Sequence, residues 1–145
     1  MMELPNPRET LSPAEIEACR HRIRFIHDQI LLWEGSPTGD FRHLAVSYER
    51  LLEIQALGKK LVLIVDLTDC PRPTAAYRKA VQRIGMEVKH MFFRGAVVTG
   101  RSPFINIAAK IIITMIGYRT YSFHATLEDA KRACFRELNL PLAGV

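Results

Sequence analysis

The chain has 145 residues, 48% of them hydrophobic, and a formal net charge of +5 at neutral pH. That length holds one domain with its own core, and the balanced composition excludes a disordered, collagen-like or disulfide-stapled chain. The cysteines (Cys19, Cys70, Cys134) are odd in number and widely spaced, which argues against a disulfide framework and for a reducing cytosol.

Met1 to Leu11 carries two prolines and no periodicity, and reads as an irregular arm without the basic start and apolar run of a signal peptide. Ser12-Pro13-Ala14-Glu15 has the form of a helix start: serine as cap, proline at the first helical position, glutamate placed to reach back. The helix should end near Arg20. His21 to His27 alternates, with Ile23 and Phe25 on one face, and Gln29 to Glu34 continues extended. Two antiparallel strands joined tightly at His27-Asp28 are predicted. Gly35 to Gly39 is a loop, Asp40 a helix cap, and Phe41, Leu44, Ala45, Tyr48, Leu51 and Leu52 recur every three or four residues. Gly58 suits a left-handed stop.

Leu61 to Val65 is a run of five apolar residues, too short for a helix and rich in β-branched types, so it reads as a strand buried on both faces. It ends on Asp66, and a loop with two prolines leads to Thr74, which caps the next helix. There Tyr77, Val81, Ile84, Val88 and Met91 form one stripe, while Arg78, Lys79 and Arg83 are predicted on the exposed face. Phe92 to Thr99 is a strand, Ser102-Pro103 opens a helix that runs to Ile116, Arg119 to His124 is a short strand, and Thr126 caps a last helix ending near Leu138. Alternating strands and helices predict one α/β domain over residues 12–138, with a tail after it, built on a single mixed, mostly parallel sheet of about five strands. In such sheets function sits at the carboxyl ends of the strands.

The helix Phe104 to Ile116 is apolar almost all round. Asn106, Lys110 and Thr114 fall on one narrow arc. At 13 residues it is short of the ~20 needed to span a bilayer. Phe104, Ala108, Ile111, Ile112 and Met115 suffice for a contact with the sheet, which leaves Ile105, Ile113 and Ile116 to face a neighbouring helix, the N-terminal segment, a partner, a second copy of the chain or an apolar ligand.

The charge is uneven. Residues 1–60 hold 8 Lys/Arg against 9 Asp/Glu, and residues 61–145 hold 12 against 6. A solvated basic surface explains this without nucleic acid. Asp66 and Asp69 are the acids nearest the central strand, too few for a hard-cation site, and Asp66 suits loop formation. The five histidines show no metal-ligand spacing, and the eight glycines form no dinucleotide or P-loop fingerprint. No cofactor or metal is expected, and no enzyme. Thr99-Gly100-Arg101-Ser102 reads as ordinary helix-cap chemistry.

The order of elements, the Leu61-Val-Leu-Ile-Val-Asp-Leu67 strand, the Thr99-Gly100 strand end and the Tyr121-Ser-Phe-His-Ala-Thr-Leu-Glu-Asp-Ala130 segment together resemble the STAS domain. The closer likeness is to its bacterial SpoIIAA-like branch, named for an anti-sigma-factor antagonist. The resemblance covers roughly residues 21–138. It implies a regulatory protein-interaction module in which a serine at the start of the helix after the central strand is phosphorylated. Here Ala75 holds that place and no aspartate precedes it, so the switch is expected to be absent, with Thr74 the nearest candidate. Partner contacts are expected at Thr68, Asp69, Arg72 and Thr74 of the loop, at Arg78, Lys79 and Arg83, and at Ile105, Ile113 and Ile116, with a homodimer through the Phe104–Ile116 helix as one form. The branch also resembles lipid-binding CRAL-TRIO domains, and the alternative is a carrier or sensor of a small apolar ligand lined by Tyr77, Ile84, Phe104 and Ile112.

Overall fold

A computed structural model describes residues 3–117 and 120–140. Its helices start where side chains can take up free backbone N–H groups. In α1 (Pro13–His21) Ser12 Oγ accepts from Glu15 N at 3.1 Å, and Glu15 Oε1 accepts from Ser12 N at 3.2 Å, a complete capping box. Asp40 caps α2 (Phe41–Gln55), Thr74 caps α3 (Ala75–Val88), Ser102 caps α4 (Pro103–Ile116) and Thr126 caps α5 (Leu127–Glu137). Such caps contribute about 1 kcal/mol each. Gly58, the predicted left-handed stop, has φ of 70°, and Gly117 ends α4 with φ of 90°, a region open to glycine.

Five strands form one sheet in chain order: β1 (Ile23–His27), β2 (Ile30–Glu34), β3 (Leu61–Asp66), β4 (Phe92–Val98) and β5 (Tyr121–His124). β1 and β2 make an antiparallel hairpin that turns through Asp28-Gln29, and the other three pairings are parallel. This is the predicted α/β fold with a mixed, mostly parallel sheet. Strands laid down in order by right-handed crossovers put α2, α3 and α4 on one face. α5 covers the other, where Val62, Ile64, Ala96 and Val98 pack on Ala130, Cys134 and Phe135. On the first face Leu61 and Leu63 pack with Leu44, Leu51, Ile84 and Val88. β3 is central and its first four residues are buried, as its composition predicts.

Some boundaries differ from expectation. The N-terminal arm contains a 3-10 turn at Pro7–Glu9, and Leu11 is buried against Cys19 and Val46. The last strand spans Tyr121–His124, and Arg119 lies outside the described residues, as do Pro141–Val145 of the expected tail.

α4 corrects the sequence reading most. Its outward face carries Phe104, Ile107, Ile111 and Met115, which are 61%, 58%, 44% and 58% exposed. Ile105 and Ile116, expected on a free flank, are buried, and Ile113 is half-buried. The helix is rotated from its expected setting because it leans on α3 rather than on the sheet. Gly85 makes the notch for this: a Cβ there would come within 2.3 Å of Ile116 Cδ1. Among the described residues no helix is long and apolar enough to cross a membrane.

Candidate functional site

Because α4 leans on α3, a cavity of about 310 Å³ opens between α4 and the sheet. Leu63, Val65 and Val97 form its floor, Tyr77, Val81, Gly85 and Val88 of α3 one wall, and Ile105, Ala109, Ile112, Ile113 and Ile116 of α4 the roof. The volume lies at the lower end of small-molecule sites, about 300–1,000 Å³. Tyr121 also lines it. Tyr121 stands opposite Gly95 in the β4–β5 register, and a Cβ on Gly95 would lie 2.2 Å from the ring. The absent side chain at Gly95 is what makes room for the outer end of the ring there.

Polar groups gather where the cavity reaches the carboxyl edge of the sheet. The loop after β2 supplies Ser36 and Thr38, the loop after β3 supplies Cys70, Arg72 and Thr74, and Arg22, His43 and Arg78 complete the rim. The two loops are locked together. Gly35 N donates to Asp66 O at 2.9 Å, and a Cβ on Gly35 would lie 2.4 Å from Cys70 Sγ. Ser36 Oγ is 3.1 Å from His43 Nδ1, and Asp40 accepts from the Arg42 guanidinium, whose hydrogen bonds hold its carboxyl down at about 2. Asp66, the expected strand-end acid, accepts from Thr68 N at 3.0 Å and Thr68 Oγ1 at 2.6 Å, a loop-forming turn.

The rim cations are placed differently from one another. Arg22 donates to Gly35 O at 3.1 Å. Arg72 lays its guanidinium over the Phe104 ring, 5.3 Å from the centroid. Arg78 was expected on the outer face of α3, but it is half-buried and lines the cavity, and its Nε is buried without a hydrogen-bond acceptor among the described residues. A buried donor left in that state costs about 1–3 kcal/mol, more when charged. Burial pushes the Cys70 thiol up to about 11 and the Tyr77 phenol up to about 12, so both stay protonated at neutral pH. Among the described residues no three His, Cys, Asp or Glu side chains converge on a metal position, and the three cysteines are free.

Of the four residues expected to line a pocket, Tyr77 and Ile112 do. Ile84 is fully buried in the core beneath, and Phe104 points outward beside the rim. Of the expected contact residues, Arg72, Thr74 and Arg78 reach the cavity, as do Ile105, Ile113 and Ile116, which thus face inward instead of forming a free flank. Thr68, Asp69, Lys79 and Arg83 are exposed and do not line it. Thr74 Oγ1 accepts from Tyr77 N at 3.1 Å, the N-cap role. The Thr99-to-Ser102 turn is also cap chemistry, with Ser102 Oγ accepting from Ile105 N at 3.3 Å. Sequence reasoning missed Arg22, Ser36 and His43. The loop after β2 was within reach of the carboxyl-edge rule, since β2 is parallel to β3, but nothing local marked Arg22.

No protein-family model matches the chain, and no curated protein matches it.

Proposed function

We propose that this chain is a non-enzymatic binding module of the SpoIIAA-like STAS type whose cavity under α4 carries or senses a small apolar ligand. The observation that carries this is the cavity itself, an aliphatic chamber bounded by α3, α4 and the sheet and reaching the strand ends where α/β proteins place ligands. A binding role also suits the chemistry of the rim: Asp66 is engaged by Thr68 and the Cys70 thiol is protonated at neutral pH. The order of elements supports the STAS likeness, and Ala75 at the switch position supports a module without the serine phospho-switch.

The test is to fill the chamber. Ala109 is buried on the cavity side of α4, so Ala109→Phe places a ring where the ligand would sit. The native protein should bind an environment-sensitive apolar dye and shift cavity methyl resonances. Ala109→Phe should lose both while keeping its circular dichroism spectrum. A native protein that binds no apolar probe ends this reading.

The exposed stripe of Phe104, Ile107, Ile111 and Met115 favours a second reading, in which the module docks through the outer face of α4, a homodimer being its simplest form. Sedimentation should then show a native dimer that Ile111→Asp converts to monomer without loss of fold. A native protein that stays monomeric ends the homodimer form.

A further inference from the structure

We propose that the ligand held under α4 is an amphiphile with an anionic head, and that Arg78 is the residue that reads the head. This deepens the cavity reading and rests on it. Three observations converge. Among the described residues every charged side chain that lines the cavity is an arginine, namely Arg22, Arg72 and Arg78, and none that lines it is acidic. Of the carboxylates nearby, Asp40 is committed to Arg42 and Asp66 to Thr68, and Asp69 is exposed and does not line the cavity. Two of the three arginines are also engaged, Arg22 with the Gly35 carbonyl and Arg72 with the Phe104 ring, whereas Arg78 Nε is buried with no acceptor among the described residues.

A guanidinium carries only donors and keeps its charge at any physiological pH, so it calls for an anionic acceptor. Arg78 stands in the first turn of α3, one residue after Tyr77, whose ring belongs to the apolar wall. A single ligand can therefore place its tail against α4 and its head at Arg78. Carboxylate and phosphate share the chemistry this requires, an oxyanion that accepts from a planar donor fork.

The experiment titrates the full chain with octanoate, octyl phosphate and octanol, which share one tail, and follows the isoleucine methyl resonances of the cavity. Octanoate or octyl phosphate should bind at least about tenfold more tightly than octanol, the equivalent of ~1.4 kcal/mol. The tighter of the two acids assigns the head as carboxylate or phosphate. Arg78→Gln should remove that preference while leaving octanol affinity unchanged, and Lys79→Gln, one residue away on the exposed side, should leave the preference intact. Arg78→Gln should melt no lower than the native protein, and Arg78→Lys, which keeps the charge without the fork, should restore part of the preference. Octanol bound as tightly as both acids, or an acid preference that survives Arg78→Gln, overturns the assignment of Arg78 and leaves the cavity reading standing. Silence from all three probes overturns both.

Discussion

Gly95 and Tyr121 show how one missing side chain shapes the cavity. The Tyr121 ring occupies the space a Cβ at position 95 would need, on the same sheet face as Val97 and under the roof of α4. Gly95→Ala should force the ring toward the cavity, lower stability by about 1–3 kcal/mol as overpacking does, and weaken binding of apolar probes. Denaturant unfolding and a probe titration of the same variant check both effects. Asp40 acts through charge. The hydrogen bonds from Arg42 hold its carboxyl at about 2, against an ordinary 3.8, so ionised Asp40 favours the folded state above about pH 4 and that contribution disappears as pH falls toward 2. Asp40→Asn keeps a good cap and loses the ion pair. Its acid unfolding curve should therefore be flatter than that of the native protein between pH 4 and pH 2.

At the scale of elements, helix starts and the central strand were legible because their causes are local. A serine, threonine or aspartate satisfies N–H groups two or three residues on, and a five-residue β-branched run has few alternatives. Thr74→Ala should cost about 1 kcal/mol through loss of the bond to Tyr77 N, measured by denaturant unfolding. Phosphorylation at Thr74 would disturb that same cap. The setting of α4 was not legible. A helix apolar on nearly every side offers several equivalent faces, and the face that turns inward is chosen by contacts far away in sequence, Ile116 seated at Gly85 above all. The same distance hid Arg78. Its place among polar residues on the helical wheel gave it to the solvent face, yet the first turn of α3 stands beside the open end of the cavity, where the wheel carries no information.

Across the whole molecule, the crossovers fill one sheet face with three helices, and α4, last in the row, is supported by α3 and stands off the sheet. That arrangement leaves the cavity, and Cys70 reports on it from the rim. Burial holds its thiol at about 11, so the thiolate is scarce at neutral pH and alkylation of the folded protein should be slow. Between pH 7 and pH 9 the thiolate fraction rises about tenfold per unit, and the labelling rate should follow it about a hundredfold while the fold is intact. Cys134, buried beneath α5 on the other face of the sheet and away from the cavity, serves as the internal control when labelled peptides are counted. A ligand seated beneath α4 covers the thiol, so saturation with a bound amphiphile should slow Cys70 labelling at every pH without moving the midpoint of the pH profile by more than the new neighbour's charge requires. Cys70 labelling that is fast at neutral pH and indifferent to ligand would place the thiol in open solvent and separate it from the cavity.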